Sequence, residues 1–210
     1  MMSEGRSDPT NPPRIDRHAP AWWVLGLCAL LSVLAELGGE PLRFLLRYEN
    51  PAAWQGEYWR LVTGHFVHAG PAHLLLNVLG IGLIVALFSR DFSPGQWLIV
   101  LTASVVAIDL GFVLFEPQLQ WYVGLSGVLH GALAAGAVAW WQHETRLLAA
   151  SLTVVLMGKL AWEQWQGALP LSGDMPVIVD AHLYGAIGGL IAGVLLCLTA
   201  KRWPAATRSL

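Results

Sequence analysis

Six stretches of apolar residues recur along this chain, separated by short polar segments. A helix needs about 20 apolar residues to cross the hydrocarbon core of a bilayer, and spanning segments satisfy their backbone hydrogen bonds internally as helices. The pattern therefore predicts an all-α membrane protein, a bundle of six transmembrane helices. The predicted spans are Ala21 to Leu37, Val67 to Phe88, Pro94 to Phe115, Val123 to Trp141, Leu147 to Trp165 and Val177 to Ala200.

The remaining segments divide the chain into one membrane domain, residues 21–200, and two tails. Residues 1–20 are rich in proline and poor in apolar side chains, which predicts a disordered tail, and residues 201–210 form a second, short tail. Residues 38–66 mix charged and aromatic side chains, as an amphipathic segment at the membrane interface would. A cleaved signal peptide is an alternative for the first apolar run, but the six-span topology favours a retained helix.

The positive charges indicate the orientation. Six spans place both termini on one side, and cytoplasmic loops carry an excess of lysine and arginine. With the termini cytoplasmic, only four basic residues lie on the outer half. These are Arg43, Arg47, Arg60 and Lys159, whereas the inner side holds Arg6, Arg14, Arg17, Arg90, Arg146, Lys201, Arg202 and Arg208.

Composition excludes two other classes of protein. Hydrophobic residues make up 55% of the chain and charged residues 12%, about half the charged share of a soluble protein. The net charge of -2 and the absence of a Lys/Arg run give no sign of nucleic-acid binding. Cys28 and Cys197 both lie in apolar runs, where they are expected to be buried thiols and not a disulfide.

Polar side chains inside the spans are the candidate functional residues, because they are costly in a bilayer. Spans two, four and six run from outside to inside, so His73, Ser126 and His182 all lie in the outer leaflet. Packing alone would not require this common depth, which indicates a site. The full set is His68, His73, Asn77, Asp109, Ser126, His130 and His182.

The segment Gly124-Leu125-Ser126-Gly127-Val128-Leu129-His130-Gly131 carries the strongest chemical signal. It places a serine at the start of a helical run, where unpaired N–H groups and the helix dipole favour an anion. A serine nucleophile that generates an oxyanion would suit this position. The alternative is a small-residue motif that lets two helices pack closely.

Two more patterns predict partners for that serine. His73 and Asn77 are four residues apart, on one helix face, and both can donate hydrogen bonds to an oxyanion; the alternative is a pair of interhelical hydrogen bonds. Glycines recur every four residues in two spans and would let those backbones meet. Such contact would bring His182 to Ser126 as the base that a serine needs. The glycines are Gly127 and Gly131 in span four, and Gly185, Gly189 and Gly193 in span six.

These motifs together resemble the rhomboid intramembrane serine proteases, over about residues 21–200. The matching elements are Trp59-Arg60, His68, His73-x-x-x-Asn77, Gly124-x-Ser126-Gly127 and Ala181-His182-x-x-Gly185 with Gly189. The resemblance implies Ser126 as nucleophile, His182 as general base, and an oxyanion hole made of His73, Asn77 and the Ser126 backbone N–H. It makes Gly124, Gly127, Gly185 and His130 supporting residues.

His130 stands where the family often has a tyrosine that packs on the catalytic histidine. This departure, with the wording Gly-Leu-Ser-Gly-Val-Leu-His-Gly, is similar to the rhombosortase branch. That branch implies a bacterial inner-membrane protease whose substrates are surface or secreted proteins with a Gly-Gly C-terminal membrane anchor. His130 could pack under His182, polarise it, or bond to a neighbouring helix; we expect the packing role.

Two other functions compete with proteolysis. Five histidines (His65, His68, His73, His130 and His182) could hold haem or a metal in a membrane protein, although neither a paired two-haem spacing nor His-Glu-x-x-His is present. A proton-coupled transporter could use Asp109, Lys159 and Glu163, which we instead expect to stabilise the outer ends of spans three and five. Asp180 lies two residues before His182, on another helix face. The sequence therefore predicts a Ser-His dyad that needs no cofactor, acting on the transmembrane segment of a substrate in the lipid bilayer.

Overall fold

The computed structural model describes residues 21–168 and 177–199, and these residues form a bundle of six long helices. Their bounds lie within a few residues of the predicted spans, so the all-α class is confirmed. The two predicted tails and most of the loop between the last two helices lie outside the described residues. The long helices are α1 (Trp22–Leu37), α5 (Pro71–Phe88), α6 (Pro94–Phe115), α7 (Ser126–His143), α8 (Arg146–Gln166) and α9 (Asp180–Thr199).

The segment 38–66, expected to be amphipathic, folds into several short elements. One of them, the strand β1, pairs antiparallel with the strand β2 that precedes α7, in the register Tyr48 with Tyr122. These two strands were not predicted from the sequence. The elements of this segment are α2 (Gly39–Leu46), β1 (Tyr48–Glu49), α3 (Asn50–Trp54), α4 (Arg60–Thr63) and a 3-10 turn (Gly64–Phe66), and the partner strand β2 is Trp121–Tyr122.

The start of α6 follows local capping chemistry. At α6, the Ser93 hydroxyl accepts a hydrogen bond from the Gln96 N–H at 3.3 Å, and the Gln96 side chain accepts one from the Ser93 N–H at 2.8 Å. This capping box satisfies two N–H groups that the helix leaves unpaired. The predicted start of span four at Val123 is wrong, since α7 begins at Ser126. Gly124 has a φ of +128°, which a right-handed helix cannot accommodate.

Three of the helices, α5, α6 and α9, are long and apolar enough to cross a membrane, and α1 is a shorter apolar helix. The protein is therefore an integral membrane protein. Helix α7 lies at the centre of the bundle, where its alanines Ala132, Ala135 and Ala139 are almost completely buried. Its small residues reflect this position, because they let neighbouring helices approach.

The two glycine seams meet in direct backbone contact between α7 and α9. A Cβ atom placed on Gly185 would lie 2.0 Å from the Gly127 carbonyl oxygen, and one on Gly189 would lie 1.9 Å from the Gly131 oxygen. No side chain larger than hydrogen fits at either position. This contact sets the distance between α7 and α9, and so between the polar residues that they carry.

Candidate active site

Ser126 and His182 lie within hydrogen-bonding distance although 56 residues separate them. Ser126 is the first residue of α7 and His182 the third of α9. The Ser126 Oγ is 2.9 Å from the His182 Nε2. His182 is buried, so water does not compete freely for this bond. The arrangement can transfer a proton from the hydroxyl to the imidazole.

The loop before α7 fixes where the serine stands. The Gly124 N–H donates to the Gly64 carbonyl at 3.1 Å, and the Tyr122 hydroxyl donates to the Gly124 carbonyl at 2.5 Å. Burial raises the pKa of Tyr122 above its ordinary value, which keeps this hydroxyl protonated as a donor. The first bond ties the loop to the 3-10 turn that contains Gly64, and the second stabilises the loop itself just before α7 begins.

His73 lies directly beside this loop. A Cβ on Gly124 would stand 2.8 Å from the His73 Cε1 and 3.1 Å from its Nε2, so a glycine is needed here for space as well as for its positive φ. The Ala69 N–H donates to the His73 Nδ1 at 3.3 Å. Because Nδ1 then acts as an acceptor, a neutral His73 carries its proton on Nε2. This N–H is available to an anion at Ser126.

Asn77 lies one helical turn further along α5. Its amide Nδ2 donates to the His73 backbone carbonyl at 3.0 Å, which uses one of its two N–H groups. Its Oδ1 is buried without a hydrogen-bond partner among the described residues. Both His73 and Asn77 line the same cavity as Ser126, so the second N–H can serve a ligand there.

His130 stacks on His182. The two rings are 4.1 Å apart, centroid to centroid, and 17° from parallel, which is the packing arrangement among the three roles considered for His130. Its Nδ1 donates to the Ser126 carbonyl at 2.7 Å, so the ring is held in place by the first turn of its own helix. The Nε2 of His130 has no partner in the described part of the chain.

Glu163 belongs to the site although the sequence pattern did not predict it there. Its Oε2 is 2.9 Å from the His182 Nδ1, and its Oε1 is 2.6 Å from the Lys159 Nζ. The predicted i,i+4 pair of Lys159 and Glu163 is thus present. Its contact with His182 could have been predicted from depth, because consecutive spans alternate in direction, and Glu163 lies near the end of α8 while His182 lies near the start of α9.

Two other polar residues that were predicted to lie in the spans are outside this group, and for His68 the predicted position in a span is wrong, because α5 begins only at Pro71. His68 is fully buried, and its ring meets that of His73 edge to face at 5.1 Å. Asp109 lies 3.5 Å from the His65 Nε2, between α6 and the 3-10 turn. His68 thus packs against His73, a residue of the cavity wall, but neither His68 nor Asp109 lines the cavity at Ser126.

Three donors could hold a metal ion within the described residues: His130, Glu163 and His182, whose ligand atoms lie within 4.8 Å of one another. Both nitrogens of His182 already have partners, Glu163 and Ser126. Metal binding would have to displace at least one of these bonds. The cluster therefore fits a hydrogen-bonded chain better than a preformed metal centre.

A cavity of about 410 Å³ extends from the polar site to the side of the helix bundle. Helix α7 forms its floor, and α5 and α8 form its two walls. Most of its lining is apolar, and two wall residues are well exposed, Leu76 at 44% and Val155 at 69%. The cavity therefore opens sideways between α5 and α8, toward the position of the lipid.

Comparison with known proteins gives one family. Residues 55–199 match the Rhomboid domain. The chain is 27% identical over 182 residues to the rhomboid protease GluP of Bacillus subtilis, covering 83% of this chain and 34% of the relative. It is 28% identical over 113 residues to the rhomboid protease GlpG of Klebsiella pneumoniae, covering 53% and 40%. It is 28% identical over 147 residues to RHOMBOID-like protein 7 of Arabidopsis thaliana, covering 68% and 44%. The chain spans less than half the length of each of these relatives.

Proposed function

Because this chain belongs to the rhomboid family, we propose that it is a serine endopeptidase that cleaves transmembrane segments inside the bilayer. The observation that carries the proposal is the 2.9 Å contact between the Ser126 Oγ and the His182 Nε2, at one end of an apolar cavity. In this role Ser126 is the nucleophile and His182 the general base. The protein lies in a bacterial inner membrane with both termini cytoplasmic, which puts the site near the outer face.

The cavity explains how a substrate reaches the serine. A transmembrane helix hides its peptide bonds behind its own hydrogen bonds. The substrate helix therefore moves sideways between α5 and α8, unwinds at its outer end, and lays the exposed bond over Ser126. The apolar walls accept its side chains, while the polar groups at the end of the cavity accept its unpaired backbone.

The reaction then proceeds in two steps. Ser126 attacks the scissile carbonyl and His182 takes the hydroxyl proton, which it returns to the leaving amine. The oxyanion of the tetrahedral intermediate accepts hydrogen bonds from the Ser126 backbone N–H, the His73 Nε2–H and an Asn77 amide N–H. Water attacks the acyl-enzyme in the second step, with His182 again as base, and the product leaves outward.

Replacing either oxyanion donor by alanine is expected to slow turnover. The loss of one such donor costs about 10²–10³ in rate, so Asn77→Ala and His73→Ala should each lower kcat by that factor while a fluorophosphonate probe still labels Ser126. Purified variants in liposomes, assayed against one substrate, give the measurement. Ser104→Ala removes a buried hydroxyl that bonds within its own helix α6, and serves as the control. Wild-type turnover in both variants would leave these residues as helix-packing groups.

We propose further that the substrate carries two adjacent glycines at the start of a C-terminal anchor, as in the rhombosortase branch. Glycine weakens a helix by roughly 1 kcal/mol relative to alanine. A Gly-Gly pair at the outer end of a span thus opens at low cost at the depth of Ser126. The resemblance of the sequence around Ser126 to the rhombosortase branch supports a Gly-Gly substrate.

Replacing both glycines of such an anchor by leucine is expected to stop its cleavage. A tagged anchor is reconstituted with the purified protein, and the products are sized by mass spectrometry. The control anchor carries two leucine substitutions at its cytoplasmic end and should be cut at the normal rate. Cleavage of the Gly-Gly-to-Leu-Leu anchor at the same bond and rate would refute helix weakness as the signal.

Haem absorbance or stoichiometric metal in the purified protein, without probe labelling, would favour the metal-binding alternative.

A further inference from the structure

The Glu163 carboxylate is buried, which is unusual for a residue that only stabilises the end of a helix. Its side chain is 3% exposed, although it lies three residues before the end of α8. Each carboxylate oxygen has its own partner: Oε2 faces the His182 Nδ1 at 2.9 Å and Oε1 faces the Lys159 Nζ at 2.6 Å. An ion pair that only stabilised the helix surface would be exposed to solvent and would not contact His182.

Resting on the proposed protease activity, we propose that Glu163 is a positioning residue that makes the site a Ser-His-Glu triad and not a dyad. A carboxylate only accepts hydrogen bonds, so it holds the proton of neutral His182 on Nδ1. The Nε2 that faces Ser126 is then an unprotonated acceptor, the form that a general base requires. When His182 takes the serine proton, the carboxylate stabilises the imidazolium without becoming protonated.

Lys159 makes a buried carboxylate tolerable at this depth. An unpaired charge inside a membrane protein is costly, and the ammonium group neutralises Glu163 while His182 is neutral. The lysine side chain is 28% exposed and so keeps partial contact with solvent. Lys159 also keeps the proton on His182, because a carboxylate paired with an ammonium group is a weaker base.

Two neighbours fix the His182 ring from other directions. His130 stacks on its face and Ser126 meets its Nε2. Only Glu163 contacts the Nδ1 edge among the described residues, so the tautomer of His182 depends on this one group. Asp180, two residues before His182 on α9, points from another face of the helix.

The Lys159 contact predicts the outcome of an amide substitution. In Glu163→Gln, Lys159 can only donate, so it takes the amide oxygen and leaves the NH₂ group facing the His182 Nδ1. The imidazole must then accept at Nδ1 and carry its proton on Nε2, which is the wrong tautomer. In the double variant Glu163→Gln with Lys159→Met, the amide is free to turn and can present its oxygen to Nδ1 again.

The test measures kcat and KM for an anchor substrate, together with the rate of fluorophosphonate labelling, for purified variants in liposomes. We expect Glu163→Gln to lower kcat and the labelling rate by about 10³-fold or more, with KM changed less than about threefold, and Asp180→Asn to stay near wild type. We expect the added Lys159→Met to recover at least about tenfold of the lost rate, whereas a structural role for Glu163 would make the double variant worse.

A second pair keeps the test valid if Glu163→Gln does not fold. The double variants Glu163→Gln/Lys159→Met and Glu163→Met/Lys159→Met are both neutral and differ only in the amide beside His182. The Gln/Met variant should be at least about tenfold faster. Equal rates in this pair, or near-wild-type rates in Glu163→Gln, would overturn the triad while an inactive Ser126→Ala still supports the protease. Unchanged activity in Ser126→Ala would instead refute the proposed function.

Discussion

Ser126→Ala and His182→Ala are each expected to abolish proteolysis while the protein stays folded in the membrane. In serine proteases, loss of the nucleophile or the base costs about 10⁶ in kcat, which places both variants at the background of the assay. The two side chains meet at 2.9 Å, and no other described hydroxyl contacts His182. Cleavage of a reconstituted anchor substrate, followed by gel and mass spectrometry, measures the loss.

A buried serine elsewhere in the bundle provides the matched control. Ser32 lies in α1, is 1% exposed, and its hydroxyl has no hydrogen-bond partner among the described residues. Ser32→Ala thus removes the same hydroxyl from a helix that does not line the cavity, and the variant should cleave at the wild-type rate. Probe labelling should vanish in Ser126→Ala alone of these two variants. Near-normal cleavage by a folded Ser126→Ala protein would exclude this serine as the nucleophile.

Gly189→Ala is expected to destabilise the bundle more than any other single added methyl group at an α7–α9 glycine. Its new Cβ would lie 1.9 Å from the Gly131 carbonyl oxygen and 2.4 Å from the carbonyl carbon. Backbone atoms cannot rotate away as a side chain does, so α9 must shift. Overpacking typically lowers the free energy of unfolding by about 1–3 kcal/mol. For Gly189→Ala we expect a loss of about 3 kcal/mol or more, which would appear as a lower midpoint of thermal unfolding in detergent.

The same substitution at an open position separates packing from helix propensity. Gly82 lies in α5, and a Cβ placed there meets nothing within 4 Å. Gly82→Ala should therefore hold or slightly raise the midpoint, since alanine favours a helix by about 1 kcal/mol over glycine. If Gly189→Ala unfolds at the same temperature as Gly82→Ala, the α7–α9 contact is looser than the structure indicates.

The hydrophobic pattern predicts the six helices because span length depends only on bilayer thickness and backbone hydrogen bonding. The glycine spacing likewise predicts that α7 and α9 meet, since small residues recur on one face of each. The pairing of His182 with Ser126 follows from that contact. The six helices and the α7–α9 contact can therefore be predicted from the spacing of residue types within short segments of the chain.

The role of Glu163 and the β1–β2 pair are not encoded in this way. Lys159 and Glu163 form a self-sufficient pair on one helix, so nothing local indicates a second partner for the carboxylate. Its bond to His182 depends on how α8 packs beside α9. The strands are two residues each, too short for an alternating pattern, and their pairing depends on the tertiary position of the segment 38–66.

The arrangement of Ser126 and His182 on α7 and α9 also determines when during synthesis the site can form. Ribosomes deliver the chain from the N-terminus, so α7 enters the membrane with its serine long before His182, 56 residues later, is made. Glu163 arrives between them on α8. A nascent chain that lacks α9 therefore holds a serine without its base, and under the proposed function it is inactive. The site is therefore complete only after α9 has inserted and packed against α7, which makes the proposed activity depend on the assembly of these two helices.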